Sequence, residues 1–246
     1  MRLQARLKRL LPARAYNGLM LKLSFLYAHP AVRFESNLDE AGIADLKTLL
    51  DATNRLAGDV IECGSSRCGT SILIAEHVRT LARTKRVLAL DSFCGFDRLE
   101  LQRERSNGLT DAPDDAFAST NADYVRRKLD KLDFDGDIVP IEGFFADTLP
   151  PIVDDTAFSL ALIDCDLQAS VRYCATTLWP AIVSGGVMAF DDYDSEEFRG
   201  ARLAVDAFVR DHASEIVGQG QLNRLYFVRK ADGGSRPALP RPSRDG

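Results

Sequence analysis

Apolar and polar residues follow a regular succession along this chain. Short apolar runs, typical of strands buried between two layers of helices, alternate with segments whose apolar residues recur every three or four positions, typical of amphipathic helices. A helix predicted over Asp39–Leu56 precedes the first strand. The elements predicted after it are strand 58–64, helix 70–83, strand 86–91, helix 119–132, strand 137–142, helix 147–153, strand 158–164, helix 169–182, strand 186–191 and helix 196–213. This alternation predicts parallel βαβ units.

The end of the pattern differs. Two apolar stretches, residues 215–217 and 222–228, are separated only by Gly218–Gln221, which is too short for a helix. They predict an antiparallel hairpin. The predicted fold is therefore α/β: a doubly wound, mostly parallel, Rossmann-like sheet of seven strands that ends in a C-terminal antiparallel hairpin.

Composition adds limits on function. The chain has 246 residues and a formal net charge of -5. This length is sufficient for one large core, which we place in residues 35–230. The negative charge argues against a protein that binds nucleic acid by neutralising phosphates.

The two ends of the chain differ from this central domain. Residues 1–34 are predicted to be a basic helical arm, because the first 22 residues carry six lysines or arginines, no acidic residue and leucines at helical spacing. We favour an arm that covers the body or a neighbouring subunit over contact of residues 1–22 with a membrane surface. The apolar stretch is too interrupted for a secretory signal. Residues 231–246, rich in glycine, proline and arginine, are predicted to be a disordered tail.

Cysteine usage bears on the compartment. Five cysteines occur without a Cys-x-x-Cys pair. They are interpreted as reduced thiols in a cytoplasmic protein. A zinc site at Cys63 and Cys68 is disfavoured, because no Cys/His pair supplies the other ligands at the usual spacing.

The segment Gly58–Ser71 is the most informative part of the chain. It combines a buried strand, a turn with Gly64 and the start of a helix, which suits a nucleotide-type cofactor. Asp91 ends the next strand, where this fold places an acceptor for a ribose diol. The spacing from Gly64 to Gly69 departs from the dinucleotide fingerprint and disfavours an NAD-dependent oxidoreductase. A glycine turn that binds no ligand remains an alternative.

Carboxylates finish several of the predicted strands. In an open α/β sheet the ligand lies beyond the carboxyl ends of the strands, and Glu62, Asp91, Asp164, Asp191 and Asp192 all occupy such ends. Crowded carboxylates repel one another unless a cation neutralises them. The last three form an oxygen ligand set that suits Mg²⁺. The alternative is that Asp191 and Asp192 only cap the following helix and that Asp164 only begins a loop.

Five blocks of sequence, in order, carry a resemblance to a known family. They are Gly58–Gly64 with Arg67, Gly69 and Ser71; Asp91–Phe93 with Gly95 and Phe96; Gly143–Phe145 with Asp147–Pro150; Ile163–Leu167; and Gly185–Val187 leading to Asp191–Tyr193. Through them, residues 35–230 resemble the macrocin O-methyltransferases, which methylate sugar hydroxyls on macrolide-type natural products. They are more distantly similar to catechol O-methyltransferase. The resemblance implies a class I methyltransferase fold, S-adenosylmethionine (SAM) as methyl donor, and Mg²⁺ held by Asp164, Asp191 and Asp192.

The resemblance also implies roles for the cofactor loops. Glu62, Gly64 and Ser71 would surround the methionine part of SAM, and Asp91 would accept hydrogen bonds from its ribose. Gly143, Phe144 and Phe145 would border the adenine. Ser65 and Ser92 complete the predicted cofactor-binding set.

The proton acceptor is predicted to be Asp164, a metal ligand beside the bound hydroxyl. Catechol methyltransferases use a lysine shortly after the first metal aspartate, whereas the residue three places after Asp164 here is Leu167. Leu167 cannot titrate. A lysine base is therefore not supported.

The predicted function is a SAM- and Mg²⁺-dependent O-methyltransferase that acts on a hydroxyl of a sugar or other small natural-product-type acceptor with vicinal oxygens. The alternative is a non-catalytic SAM-binding or interaction protein of the same fold. The polar insert at residues 94–118 is either a lid over the site or a solvated loop. The resemblance also leads us to expect a homo-oligomer.

Overall fold

The computed structural model of the chain describes Leu19, residues 34–81 and residues 84–232. The predicted basic arm (1–34) lies outside the described residues except at Leu19 and Phe34. The predicted tail (231–246) lies outside them except at Ala231 and Asp232. Within the described ranges, no helix combines the length and the apolar character needed to cross a bilayer.

Helices and strands alternate through the described chain. The helices are α1 (Glu40–Thr53), α2 (Gly69–Val78), α3 (Arg98–Ser106), α4 (Ala122–Lys131), α5 (Phe145–Asp155), α6 (Gln168–Leu178) and α7 (Gly200–Asp211). The strands are β1 (Asp59–Cys63), β2 (Val87–Asp91), β3 (Ile138–Glu142), β4 (Phe158–Ile163), β5 (Ile182–Phe190), β6 (Ile216–Gln221) and β7 (Tyr226–Lys230).

The described strands form one seven-stranded sheet in the order β3-β2-β1-β4-β5-β7-β6. Strands β1 to β5 run parallel to one another, whereas β7 runs antiparallel to β5 and β6. The predicted α/β fold with a C-terminal antiparallel hairpin is therefore confirmed. The order reverses between β1 and β4, and such a reversal opens a crevice beyond the carboxyl ends of the two strands.

Two hydrophobic clusters cover the two faces of the sheet. Along β1, Val60 belongs to the cluster that contains α1, α2 and α4, and the next residue, Ile61, belongs to the cluster that contains α6 and α7. Every residue of β4 is buried. Burial on both faces explains why residues 160–163 of β4 form an uninterrupted apolar run.

The boundaries of α6 and β5 differ from the prediction. The helix predicted over 169–182 ends at Leu178, and a short 3₁₀ turn over Trp179–Ala181 leads into β5 at Ile182. Pro180 lies in this turn, where it has no N–H with which to continue the helical hydrogen bonds. The strand consequently begins four residues before the predicted residue 186.

The predicted hairpin is present, but its turn was placed wrongly. Residues 218–221, expected to form the turn, belong to β6, and the chain reverses at residues 222–225 instead. Gly218 and Gly220 pair with Arg229 and Phe227 in the antiparallel ladder. Glycine in this sequence thus marks an edge strand and not the reversal.

Candidate active site

A cavity of about 870 Å³ lies at the carboxyl ends of the parallel strands. Its wall comprises the residues that follow β1, β2, β3, β4 and β5, part of the 94–118 insert, and one residue of the hairpin turn. The cavity therefore occupies the crevice that the reversal of strand order creates.

Three carboxylates meet in this cavity. Asp164, Asp191 and Asp192 each offer an oxygen, and these oxygens all lie within 4.8 Å of one another. The backbone N–H of Asp164 donates to Cys63 O at 2.9 Å, and that of Asp191 donates to Ile163 O at 3.1 Å. These bonds continue the sheet hydrogen bonding one residue beyond β4 and β5, which brings the predicted ligand residues together.

The carboxylates are in an environment that disfavours their ionised form. Burial and the neighbouring charges of Asp191 and Asp192 raise the pKa of Asp164 well above its usual range. Burial and the charge of Asp191 raise the pKa of Asp192 to about 7. Oδ2 of Asp192 is buried and has no hydrogen-bond partner among the described residues. A cation at this point would relieve both the repulsion and the unsatisfied oxygen.

Arg224 supplies one positive charge to this cluster. Its Nε donates to Asp191 Oδ1 at 2.6 Å, and its second terminal nitrogen donates to Asp191 Oδ2 at 2.5 Å. Arg224 lies in the hairpin turn, which is attached to α1 through the buried side chain of Asp45. The sequence analysis did not identify Arg224, because a single arginine in a polar turn carries no recognisable motif.

Six of the predicted cofactor-binding residues line the cavity and three do not. The lining residues are Gly64, Asp91, Ser92, Gly143, Phe144 and Phe145. Glu62, Ser65 and Ser71 are buried and do not belong to the lining. The hydroxyl of Ser71 donates to Glu62 Oε2, and burial raises the pKa of Glu62 to about 8. The structure therefore places Glu62 and Ser71 behind the loop that follows β1.

Asp91 joins the loops that follow β1 and β2. Its two carboxylate oxygens accept the backbone N–H groups of Ser66 at 2.8 Å and Phe93 at 2.6 Å. Each oxygen retains a further lone pair for another donor. Asp91 therefore shapes the loop itself, and it remains available for the predicted ribose contact.

The loop after β1 is held from behind by a buried lysine. Nζ of Lys128, on α4, donates to Arg67 O at 2.8 Å and to Phe34 O. It also lies 3.1 Å from the carboxylate of Glu35. Burial would raise the pKa of Glu35, but the charges of Lys128 and Arg67 hold it below its ordinary value. The ion pairs of Glu35 with Lys128 and Arg67 thus hold residues 34 and 35 against the loop that follows β1.

Gly64 is required by a close approach of two backbones. It has φ +94°, and a Cβ at this position would lie 1.8 Å from Asp164 O. Only glycine adopts this conformation without strain and avoids this contact. The predicted cofactor loop and the predicted metal loop are therefore in direct backbone contact.

The insert at residues 94–118 contains α3 and contributes a wall of the cavity. Phe96 and Phe117 line the cavity together with Phe198, and their ring centroids lie 5.3 to 6.3 Å apart. Glu100 and Glu104 of α3 accept hydrogen bonds from the backbone of Ser170 and Gln168 in the first turn of α6. These residues of the insert pack against the site and are not part of a solvated loop.

Asp166 is a further carboxylate of the cavity, to which the sequence analysis assigned no role. It lines the cavity, has φ +63° and lies two residues after Asp164. Burial and the charges of Asp192 and Asp191 raise its pKa well above its usual range. The Asp-x-Asp spacing at the end of a buried strand is a signal by which sequence reasoning could have assigned Asp166 to the site.

Known proteins resemble the chain in sequence and in fold. Demethyldecarbamoylnovobiocin O-methyltransferase of Streptomyces niveus is 30% identical over 152 residues, which cover 57% of this chain and 54% of that protein. The chain thus matches only about half the length of this curated relative. The structure of the O-methyltransferase NovP has a TM-score of 0.66 at 20% identity and covers 89% of this chain and 99% of NovP. The calicheamicin methyltransferase CalS11 has a TM-score of 0.63 at 20% identity and covers 87% of this chain and 90% of CalS11.

The two structural similarities concern the fold alone. The family assignment rests on sequence. A model of the macrocin-O-methyltransferase (TylF) family matches residues 40–217, a range that includes β1 to β5 and every carboxylate of the cluster. This chain therefore belongs to the macrocin O-methyltransferase family.

Proposed function

We propose that the protein is a SAM- and Mg²⁺-dependent O-methyltransferase that acts on a hydroxyl of a sugar or other small natural-product-type acceptor with vicinal oxygens. One observation carries the proposal: the oxygens of Asp164, Asp191 and Asp192 converge in the cavity that the predicted cofactor loops line. Family membership supports the reaction class. The names of the novobiocin enzyme and of CalS11, a calicheamicin methyltransferase, support a natural-product acceptor.

The residues present fit a hard divalent cation. Mg²⁺ prefers oxygen ligands in an octahedron and usually keeps several positions for water or substrate. Three carboxylates from two adjacent strand ends supply such a set. A cation would also provide the partner that Oδ2 of Asp192 lacks among the residues that the structure describes. We therefore assign Asp164, Asp191 and Asp192 as the residues that would hold the ion.

The cavity also fits the cofactor. Gly64, Asp91 and Ser92 line it at the ends of β1 and β2, and Gly143–Phe145 line it after β3. This is the edge of the sheet at which nucleotide-type ligands bind in open α/β folds. The carboxylates of the same cavity complement the positive charge of a sulfonium.

The chain's own residues would orient the reactants and receive a proton. When held by Asp164, Asp191 and Asp192, Mg²⁺ would supply a positive charge that lowers the pKa of the acceptor hydroxyl. The proton of the acceptor hydroxyl passes to Asp164, as predicted from sequence, with Asp166 as the second candidate in the same cavity. The wall of Phe96, Phe117 and Phe198 limits water at the reacting oxygen, and alignment of this oxygen with the methyl group provides much of the acceleration.

The full chain incubated with SAM, Mg²⁺ and a panel of glycosides tests the proposal, with transfer of a methyl group detected by mass spectrometry. Asp164→Asn should abolish turnover and leave SAM affinity within about twofold, since Asp164 acts on the metal and the hydroxyl. Asp154→Asn, at an exposed position of α5, is the matched control. Undiminished turnover in excess EDTA, or full activity of Asp164→Asn, would contradict the mechanism. The Asp166→Asn variant decides which carboxylate receives the proton.

The alternative is a SAM-binding protein without transfer. Leu167 supports it, because this residue replaces the lysine base of catechol methyltransferases and is buried in the apolar cluster of the insert. Calorimetric titrations with SAM and with NAD, each with and without Mg²⁺, distinguish a SAM-binding protein, whether catalytic or not, from an NAD-dependent enzyme. SAM binding that Mg²⁺ does not affect, together with no SAM consumption across the panel, would favour the alternative.

A further inference from the structure

Arg224 reaches the carboxylate cluster from an element far away in sequence. Its guanidinium forms a two-pronged ion pair with Asp191, at 2.6 Å and 2.5 Å, and the Asp191 side chain is only 4% exposed. A remaining terminal nitrogen donates to Asn37 O at 3.3 Å. Paired bonds of this kind fix both the position and the plane of a carboxylate.

The main chain that carries Arg224 is held as firmly as its side chain. Asp45, which is 2% exposed on α1, accepts the backbone N–H groups of Arg224 at 2.7 Å and Leu225 at 3.1 Å. It also accepts the side-chain amide of Asn223 at 2.7 Å. A buried carboxylate with three donors anchors the turn, so the guanidinium starts from a fixed backbone.

The charges in the cavity are unbalanced without Arg224. Among the described residues that line the cavity, Arg224 is the only lysine or arginine. Asp191 has both oxygens bonded to it, whereas Oδ2 of Asp192 has no hydrogen-bond partner in the described chain. Arg224 therefore neutralises part of the cluster at the point where a metal would also bind.

We propose that Arg224 is a resident counter-cation, which keeps the three carboxylates together in the metal-free protein and lowers their affinity for a divalent cation. The inference rests on the proposed function, since it concerns the same metal site. A bound cation shares Asp191 with the guanidinium and is repelled by its charge. Loss of Arg224 removes this repulsion, and it also frees the Asp191 side chain. The charge effect is the larger one, because a full positive charge in contact with a ligand outweighs the ordering of one short side chain.

Calorimetric titration of the full chain with Mg²⁺, without SAM, tests the proposal. Arg224→Gln, which removes the charge, should bind Mg²⁺ at least about tenfold more tightly than the unchanged protein, a difference of about 1.4 kcal/mol. Arg224→Lys keeps the charge and loses the paired hydrogen bonds to Asp191, so its affinity for Mg²⁺ should stay within about threefold of that of the unchanged protein. Arg202→Gln is the matched control, since Arg202 is exposed and pairs with Asp194 outside the cavity lining.

Thermal unfolding gives a second measure of the same effect. A ligand that binds only the native state raises the unfolding temperature more when its affinity is higher. Mg²⁺ should therefore raise the unfolding temperature of Arg224→Gln by more than that of the unchanged protein. In the absence of metal, Arg224→Gln should unfold at a lower temperature, because the carboxylates then repel one another without compensation.

Three outcomes would overturn the proposal. If Arg224→Gln and Arg224→Lys both bind Mg²⁺ more weakly than the unchanged protein, the paired hydrogen bonds of Arg224 orient Asp191 as a metal ligand. The charge of Arg224 then does not compete with the metal. Unchanged affinity in Arg224→Gln also refutes it. If SAM binds but neither the unchanged protein nor any variant binds Mg²⁺, the metal site of the proposed function is wrong as well. This result differs from the first two, which refute only the role of Arg224. Should Arg224→Gln not fold, Arg224→Lys still tests the proposal, because a loss of Mg²⁺ affinity greater than about threefold in this variant would show that the paired bonds to Asp191, and not the charge, govern binding.

Discussion

Helix α6 begins without a cap of its own, and this makes the insert testable as a structural part of the site. The residue before the helix is Leu167, whose side chain forms no cap hydrogen bond. Glu100 of α3 accepts the backbone N–H of Ser170 at 2.6 Å and the hydroxyl of Ser170 at 2.8 Å. Glu104, one turn later, accepts the N–H of Gln168 at 2.9 Å. The insert therefore satisfies the free amides of a helix from another element.

Replacing Glu100 by alanine removes two of these bonds. Loss of an N-terminal capping side chain costs about 0.5 to 2 kcal/mol. Two bonds to a half-buried carboxylate place Glu100→Ala in the upper part of this range, at about 1 to 2 kcal/mol of lost stability. Glu100→Gln retains an oxygen for the Ser170 amide but loses the charge. Neutral hydrogen bonds are about half as strong as charge-assisted ones, so glutamine should lose about half as much.

Equilibrium unfolding in urea at neutral pH measures these differences. Glu76→Ala, at an exposed position of α2, is the matched control and should change the free energy of unfolding by no more than about 0.5 kcal/mol. Hydrogen exchange of the Ser170 amide supplies a local readout, since this amide loses its acceptor in Glu100→Ala.

The reasoning is refuted if Glu100→Ala and Glu76→Ala lose the same stability. It is also refuted if Glu100→Ala is destabilised while exchange at Ser170 remains unchanged, because the loss then arises elsewhere. Equal losses in Glu100→Gln and Glu100→Ala would show that the charge, and not the hydrogen bond, provides the stabilisation.

Three further predictions concern the buried groups around the cofactor loop. Glu35→Gln removes the negative partner of the buried Lys128 and should lower the free energy of unfolding in urea by about 3 to 5 kcal/mol; a loss below about 1 kcal/mol contradicts it. Gly64→Ala should lower both the unfolding temperature and the SAM affinity by calorimetry, because its Cβ would lie 1.8 Å from a carbonyl oxygen after β4. Gly108→Ala, where φ is also positive but no atom lies within 4 Å, should show a smaller thermal loss and unchanged SAM affinity, and equal effects in the two variants would refute the steric argument. For Glu62, burial raises the pKa in the folded chain from 4.5 to about 8, so the stability from its protonated form is lost as pH rises through that interval. Glu62→Gln should remove this component, and urea unfolding across the interval should give a less steep decline than in the unchanged protein; identical slopes would contradict the assignment.

The sequence predicted the part of the site that depends on the ends of buried parallel strands. Strand β4 ends in the apolar run 160–163 and β5 in the apolar run 187–190, and these runs are followed directly by Asp164 and by Asp191 with Asp192. Parallel neighbours end at the same edge of a sheet, so their terminal residues meet without any knowledge of loop structure. Asp166 could have been included by the same argument, since it lies in the same short loop.

The parts that sequence reasoning missed depend on contacts between distant segments. Arg224 reaches the cavity because Asp45 holds the turn, and these two residues are 179 positions apart. The antiparallel register that places the turn at 222–225 is set by pairing across the ladder, and the glycines of β6 misled the prediction. Helix α3 was missed because it has little apolar surface, with only Leu101 and Glu104 buried. Its order comes from contact with α6, which no local pattern shows.

The missed residues share a physical role. Loops around a cavity bring backbone N–H and C=O groups into buried positions where regular secondary structure cannot satisfy them. Buried charged side chains on helices perform this task here: Asp45 for the hairpin turn, Lys128 for the loop after β1, and Glu104 for the start of α6. Their charge-assisted bonds hold the loops in place before any ligand arrives. The geometry of the carboxylate cluster is therefore set by residues outside it, so substitutions at Asp45, Lys128 or Glu104 should disturb the site without removing a single residue that lines it.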